Sequence, residues 1–398
     1  MIPKNWRWIT LNDFAECLDN LRVPVNAKER SKRIGNIPYY GATGQTGWID
    51  NYLTNEQLVL LGEDGAPFLD IFKDKAYIID GKAWINNHVH ILKSYFGDIG
   101  NRYLKYYLNN FDFKDYVSGT TRLKLTQSKM KNIPIPLPPI EEQKRIVDLI
   151  ESLFSKLDRA KALAQNVIDN YELRRSAILH KAFKGQLTNS NLDNWQEVNL
   201  STVCEINPPK IQTRNLPDKL EVTFLPMTSI SAESGKIIEQ QRQPLIKVKK
   251  GFTNFSEGDV IFAKITPCME NGKSAIIGKL INDIGYGSTE FYVLRCSEKL
   301  YNIFLYHLIR SQKFRDEAKS VMAGAVGQQR VPKNFLEEYL LNLPTIEEQK
   351  EIARILESLL AKEQRTKKLA EQVLQKIDLM KKAILARAFR GELTLLTH

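Results

Sequence analysis

Over two long stretches of the chain, apolar residues return every three or four positions, with charged and polar residues between them. In the first the apolar track is Ile146, Leu149, Leu153, Leu157, Leu163, Val167, Tyr171 and Ile178, and in the second it is Ile352, Ile355, Leu359, Leu369, Val373, Ile377, Met380 and Ile384. One stripe per stretch predicts two amphipathic helices of about 40 residues, each roughly 60 Å long at 1.5 Å per residue. Each is entered through proline (Pro138-Pro139, Pro344), carries glutamates in its first turn (Glu141, Glu142; Glu347, Glu348) and stops at a glycine (Gly185, Gly391), which suits both helix termini. A small domain cannot cover a face that long, so the two helices are expected to pack on each other as an antiparallel coiled coil about a pseudo-twofold axis, with one globular module at each end. The packing is assigned to Ile146, Leu149, Leu153, Leu163 and Val167 against Ile352, Leu359, Leu369, Val373 and Ile377. Two independent dimerisation helices are the alternative.

The stretches are copies of each other. Residues 140–188 and 346–394 align without a gap at an offset of 206, with 24 of 49 positions identical. A weaker echo opens each half: Asn5-Trp6 followed by Ile9, Leu11 and Phe14 matches Asn194-Trp195 followed by Val198, Leu200 and Val203. Between the helices the chain is β-rich. Short apolar runs at 58–61, 76–79 and 89–92, then a helical stretch near 99–111, are answered by runs at 222–225, 260–265, 274–277 and 291–295 and a helix near 301–319. The expected architecture is an α+β tandem duplication: a module over 1–139, a helix over 140–189, a second module over 190–345 and a second helix over 346–398.

At 398 residues, with 43% hydrophobic and 26% charged residues, the chain is ordinary globular material, long enough for two or three domains. Cys17, Cys204, Cys268 and Cys296 show no CxxC spacing and read as thiols in a reducing compartment, and no apolar run approaches a bilayer span, so a cytoplasmic protein free of membrane is expected. The net charge of +11 points to a polyanion, but it is spread as +4, +2, +2 and +3 over the four segments.

Most motifs fail their chemical test. Asn207-Pro208-Pro209 resembles an amino-methyltransferase box but has Lys210 where the aromatic should stand, and no glycine-rich cofactor turn precedes it. The run Gly41-Ala-Thr-Gly-Gln-Thr-Gly47 lacks the Lys-Ser/Thr pair of a nucleotide loop; it is either a plain turn or a loop that puts backbone N–H groups beside DNA phosphates, with Thr43 and Gln45 reaching outward. His88 and His90 share a strand face without further ligands in the neighbouring sequence, Cys268 has no partner, and the Glu-x-Lys triplets at Glu142–Lys144 and Glu348–Lys350 read as surface charge. No catalytic residue, metal or cofactor is expected. What remains is a set of basic and amide residues among small ones: Arg122 and Lys124 in the first module; Lys264, Lys273, Gln328, Gln329, Arg330 and Lys333 in the second. Such side chains neutralise phosphates and make bidentate contacts with base edges. In both halves a glycine-containing basic segment, Gly119–Leu125 or Gly324–Lys333, lies just before the long helix.

Together the layout and wording resemble the DNA-specificity (S) subunit of type I restriction-modification systems. The resemblance rests on Pro-Leu-Pro-Pro-Ile-Glu-Glu-Gln-Lys (136–144) and Leu-Pro-Thr-Ile-Glu-Glu-Gln-Lys (343–350), on Ala-Phe-Lys-Gly-Gln-Leu (182–187) and Ala-Phe-Arg-Gly-Glu-Leu (388–393), and on phrases such as Tyr-Tyr-Gly-Ala-Thr-Gly (39–44) and Lys-Ile-Thr-Pro-Cys-Met-Glu-Asn-Gly-Lys (264–273). It implies that each module is a target-recognition domain for one half of a split, asymmetric double-stranded DNA site. The helices would set the gap and hold two adenine-N6 methyltransferase (M) subunits, and with them restriction/motor (R) subunits, while this chain does no chemistry itself. The segment Gly119-Thr-Thr-Arg-Leu-Lys-Leu125 departs from the form Gly-Gln-Gln-Arg-Val-Pro seen at 327–332, so the implication reaches Gln328 and Arg330 more directly than Arg122 and Lys124. A coiled-coil scaffold with no DNA role and a part of a fused restriction or methylation enzyme are the alternatives.

Overall fold

The structure is a computed structural model that describes residues 2–188, 192–325 and 327–393. The expected boundary at 189/190 and the last residues of the expected second helix, 394–398, lie outside them. The chain forms two compact units, one made of Met1–Asn166 with Leu369–His398 and the other of Val167–Lys368. Each contains one globular module, the start of one long helix and the end of the other.

In the first unit the strands Ala15–Cys17, Val89–Ser94, Leu58–Gly62 and Ala76–Ile79 form an antiparallel sheet in that order. A second sheet runs Gly44–Ile49, Ile37–Gly41, Lys82–Ile85, Thr54–Asn55, with Ile37–Gly41 parallel to Lys82–Ile85. The second unit repeats the plan: Cys204–Ile206, Phe291–Cys296, Val260–Ala263, Ser274–Ile276 in one sheet and Gln241–Pro244, Glu221–Leu225, Gly285–Gly287, Thr253–Phe255 in the other, again with a single parallel pair. Each module is closed by its first and last strands pairing, Arg7–Thr10 with Pro134–Leu137 and Gln196–Asn199 with Leu340–Leu343. The duplication therefore extends through the modules. The helix expected near 301–319 is two helices, Asn302–Ile309 and Gln312–Ser320, because the Ser311 side chain caps the second by accepting from Phe314 N at 3.3 Å.

The glutamine of each Ile-Glu-Glu-Gln motif locks a long helix to its module. Gln143 and Gln349 are fully buried, and their Nε2 groups donate to Pro138 O at 3.1 Å and to Pro344 O at 2.9 Å. Gln349 also donates to Lys299 O at 2.9 Å and accepts from Tyr301 N at 2.8 Å. The preceding glutamates are not plain surface charge, as their triplets suggested: Glu142 accepts from Asn5 Nδ2 at 3.1 Å and Glu348 from Trp195 Nε1 at 3.0 Å, tying each helix start to the opening of its module.

The first long helix is not one piece. It runs Ile140–Asp169 and resumes at Tyr171–Phe183, whereas Ile346–Ala388 is continuous. At the break the Arg174 guanidinium donates to Val167 O at 2.8 Å, competing with the helix ladder; the repeat-equivalent Met380 has no such donor. Within the first unit the helical segments run antiparallel, with Asp158 paired to Lys381 at 2.5 Å and Lys161 to Asp378 at 3.5 Å. Leu385, Ala388, Phe389 and Leu393 share a core with Ile146, Val147, Ile150 and the module's Tyr103 and Tyr107. Within the second unit Tyr171 donates to Gln364 at 2.5 Å and Arg174 to Glu363 at 2.7 Å, and Leu179, Ala182, Ile352 and Leu356 join Phe304 and Leu305 in its core.

The packing assignment needs correction in the middle of the helices. Ile146, Ile352 and Ile377 are buried, and Leu149, Leu153, Val167 and Leu359 partly so, but Leu163, Leu369 and Val373 are 64%, 51% and 41% exposed. The inward track is Ile150, Leu157, Ala164, Tyr171 in one helix and Leu356, Glu363, Ala370, Ile377 in the other, a seven-residue repeat in which Leu157 and Glu363 are partly buried and the rest buried. Leu163 and Leu369 sit one position before its alanines, about 100° round the helix. Bulk in the sequence drew the expected stripe onto them, while the buried positions beside them are held by Ala164 and Ala370.

Two predictions follow from this packing and from one buried imidazole. Ile150→Ala should cost about 2–5 kcal/mol by urea unfolding, whereas Leu163→Ala should change stability by less than about 0.5 kcal/mol; similar costs would restore Leu163 to the inward track. Burial, reinforced by Arg310 and Arg175, pulls the His307 imidazole down to about 3. It stays neutral when folded but takes a proton below about pH 6.5 when unfolded. Its contribution is thus complete above pH 6.5 and falls toward pH 3 by up to about 1.4 kcal/mol per pH unit. Unfolding free energy measured from pH 7.5 to 5 should decline less steeply in His307→Phe; equal slopes would place the acid sensitivity elsewhere.

Candidate nucleic-acid interface

In each module the central strand of the antiparallel sheet runs into a loop that carries a short hairpin. In the first, Leu58–Gly62 leads to residues 63–66, against which the pair Val117–Ser118 and Lys124–Leu125 is held by Leu125 N donating to Glu63 O at 2.7 Å and Gly65 N to Leu123 O at 3.2 Å. In the second, Val260–Ala263 leads to residues 264–268. The hairpin there is closed by Arg330 N to Ala323 O at 2.8 Å and docked by Thr266 N to Gln329 O at 3.0 Å and Val331 N to Lys264 O at 2.9 Å. Both turns depend on a glycine in the left-handed half of backbone space. Gly119 has φ +104° and a Cβ there would lie 2.5 Å from Arg122 O; Gly324 has φ +128° and its Cβ would lie 2.9 Å from Gln328 O. The two basic segments singled out from the sequence are thus structural counterparts, despite their different wording.

Each hairpin presents an arginine steadied by a carboxylate from a neighbouring loop. Arg122, its side chain 62% exposed, donates to Asp64 at 2.7 Å and lies over Gly65. Arg330, 43% exposed, clasps Glu290 through two nitrogens at 2.7 and 3.0 Å and donates to Gln328 O at 3.0 Å. The Arg330 guanidinium holds the Glu290 carboxyl below the usual range. A guanidinium fork fixed in this way keeps free N–H groups directed outward at little entropic cost.

The other sequence candidates divide. Lys124 pairs with Glu63 at 3.1 Å and remains half exposed, and Gln328 is exposed at the hairpin tip with Gln329 half-buried behind it. Lys264 stands over the Tyr292 ring at 5.3 Å, and Lys333 pairs with Glu337 at 2.7 Å within its own short helix. Lys273 is turned inward, donating to Met227 O at 3.0 Å, so its ammonium braces a loop. Thr43 and Gln45 are exposed at the turn and first residues of an ordinary β-hairpin, Ile37–Gly41 with Gly44–Ile49. Its Ala42 carbonyl sits over Gly62, where a Cβ would be 3.2 Å away, which brings Thr43's turn beside the Asp64 loop.

Sequence reasoning missed the carboxylates Asp64 and Glu290, which are distant in sequence from the arginines they hold. It also missed the environment of His90: Asp19, Glu63 and His90 come within 4.8 Å of one another, the one group among the described residues with the makings of a cation site. Their oxygens already have partners. Arg22 bonds both carboxylates, Lys124 takes Glu63, and His90 Nδ1 meets Asp19 at 2.7 Å while Nε2 meets Leu125 O at 2.9 Å. The cluster ties the basic hairpin to the sheet. Two more cations steady the surface at 26–36, with Arg30 over Tyr39 at 4.5 Å and Arg33 over Trp84 at 4.3 Å. The pairing of a basic segment with an aromatic strand was the available signal. No helix among the described residues is long and apolar enough to cross a membrane.

A duplicated α+β chain with the same basic hairpin on each half has the form of a two-module recognition protein. Residues 3–167 and 192–375 match the type I restriction modification DNA specificity domain, and the chain belongs to that family. It is 39% identical over 161 residues to the type I restriction enzyme EcoAI specificity subunit of Escherichia coli, covering 40% of this chain and 27% of that one. With the EcoDI specificity subunit of Escherichia coli it shares 22% identity over 424 aligned residues, 99% of this chain and 90% of the relative. The chain spans 27% to 37% of the length of the curated relatives it matches at 37% to 39% identity. A crystal structure of the HsdS subunit from Thermoanaerobacter tengcongensis has the same fold, with a TM-score of 0.64 at 17% identity and coverage of 98% of both chains.

Replacing Arg330 by alanine should weaken binding of a cognate DNA duplex. If Arg330 meets a base edge, the loss should be about 1–3 kcal/mol and confined to sequences carrying that base. Equal weakening on all sequences, with a salt slope lower by about one, would assign it to a phosphate; unchanged binding would reject the site.

Proposed function

We propose that this chain is the DNA-reading subunit of a type I restriction-modification complex and that each module reads one half of a split, asymmetric double-stranded site. The observation that carries the reading is the pair of counterpart basic hairpins, built on the same plan with Arg122 at the position of Gln328 and Lys124 at that of Arg330, in modules whose loop sequences differ. The same scaffold with different loops suits two different half-sites. In this reading Thr43, Gln45, Arg122, Lys124, Lys264, Gln328, Gln329, Arg330 and Lys333 face DNA, with Lys273 supporting its loop from behind. The chain is not catalytic: methyl transfer to adenine N6 comes from two M subunits seated on the long helices, and cleavage from R subunits, in the cytoplasm. Exposed Leu163, Leu173, Leu369, Val373 and Leu379 are among the apolar groups on those helices available to such partners.

The long helices then act as the spacer between half-sites. A helix advances 1.5 Å per residue and B-DNA about 3.4 Å per base pair. The test is the pattern of methylated adenines in genomic DNA from cells with this gene, without it, and with a version carrying about four extra residues in each long helix. A bipartite motif that vanishes with the gene supports the proposal, and methylation unchanged by its loss overturns it. In the lengthened version both half-sites should persist while the gap grows by one or two base pairs; an unchanged gap in an active variant would mean that the helices do not set it.

A further inference from the structure

Cys204 and Cys296 stand directly opposite each other where Cys204–Ile206 pairs antiparallel with Phe291–Cys296. The surrounding ladder fixes the kind of pair. Ser297 N donates to Val203 O at 2.9 Å and Asn207 N to Val293 O at 2.7 Å, so 203/297, 205/295 and 207/293 are the hydrogen-bonded positions. Cys204/Cys296 falls between them as a non-hydrogen-bonded pair, where Cα atoms approach to about 4.5 Å and the side chains lie close on one face. That separation is within the roughly 4.4–6.8 Å that a disulfide spans. Both thiols are free. A hydrogen bond with Cys296, and then burial, hold the Cys204 thiol far above its ordinary range, while Cys296 is the more open of the two. The register counterparts in the first unit are Ala15 and Ser94, so the fold itself does not call for sulfur here.

The geometry points to Cys204–Cys296 as a reversible cross-strand disulfide site, closed by an oxidant of the peroxide class. The Cys296 thiolate attacks the O–O bond and takes one oxygen as a sulfenic acid; the other leaves as hydroxide and is protonated to water. The Cys204 sulfur then displaces the sulfenyl hydroxyl, which departs as water with the Cys204 proton. Two thiols lose two electrons in all, and one hydrogen peroxide becomes two waters. The bond closes a loop with 91 residues between its ends, enclosing the strands of the second module from Glu221–Leu225 to Gly285–Gly287, and it restricts the unfolded chain accordingly. This site is independent of what the module binds.

The test treats the full chain with hydrogen peroxide, caps residual thiols with N-ethylmaleimide, and reads the intact mass, a non-reducing peptide map and the melting temperature. The expected result is a loss of two hydrogens, one linked peptide pair containing Cys204 and Cys296, reversal by dithiothreitol, and a rise of roughly 5–15 °C in melting of the second unit. Cys296→Ser should show neither the link nor the rise, and Cys204→Ser should trap sulfenic or sulfinic acid on Cys296. Recovery of both cysteines in capped form, linkage to Cys268 or Cys17 instead, or sulfinic Cys296 in the unaltered chain without a bridge would each overturn the assignment. The map of the unaltered chain decides the matter even if a serine variant folds poorly.

Discussion

A helix with one apolar stripe must cover that stripe, and in this chain the requirement is met by a segment from the far end of the sequence. Ile146, Val147 and Ile150 lie in one core with Leu385, Ala388 and Phe389, and Ile352 and Leu356 lie in another with Leu179 and Ala182. Neither core is complete with its own module alone. At roughly 25 cal/mol per Å² of apolar surface removed from water, a few such side chains supply several kcal/mol, comparable with the net stability of a domain. The buried glutamines Gln143 and Gln349 then make the joint directional. The amide nitrogen of each, sealed in an apolar setting, donates to the carbonyl of a proline just before its helix, Pro138 or Pro344.

What this accomplishes is the fixed presentation of a small surface. The hairpins bearing Arg122 and Arg330 are not free loops. Backbone bonds to the 63–66 and 264–268 loops hold them, and Asp64 and Glu290 set the guanidinium planes. Carboxylates beside cations lower the net charge of the surface, which agrees with a balance of only +4 and +2 on the two modules. Orientation rather than bulk charge is what such a surface offers a polyanion.

The long helices, the duplication and the family were legible in the sequence, because 3.6-residue periodicity and 24 identities in 49 positions are strong signals. The second sheet of each module was not, apart from the run at 222–225. Its strands, such as Gly44–Ile49 and Gly285–Gly287, are short and rich in glycine and polar residues, so they carry little alternation and one of them read as a possible phosphate loop. Leu163 was placed inward and Ala164 overlooked because hydrophobicity scales reward size, whereas here the alanine is the buried residue and the leucine the exposed one. The carboxylate partners Asp64 and Glu290 escaped for another reason: charge pairing across 58 and 40 residues leaves no local pattern.

The sharing of chain ends has a temporal side. The second unit is a single uninterrupted stretch, Val167–Lys368, while the first waits for Leu385, Ala388, Phe389 and Leu393. On a ribosome that emits the chain from its amino end, the unit begun first is therefore the one finished last. Until then the apolar faces of Ile146, Val147 and Ile150 must be kept from other chains, a task that falls to chaperones or to a partner already present during synthesis.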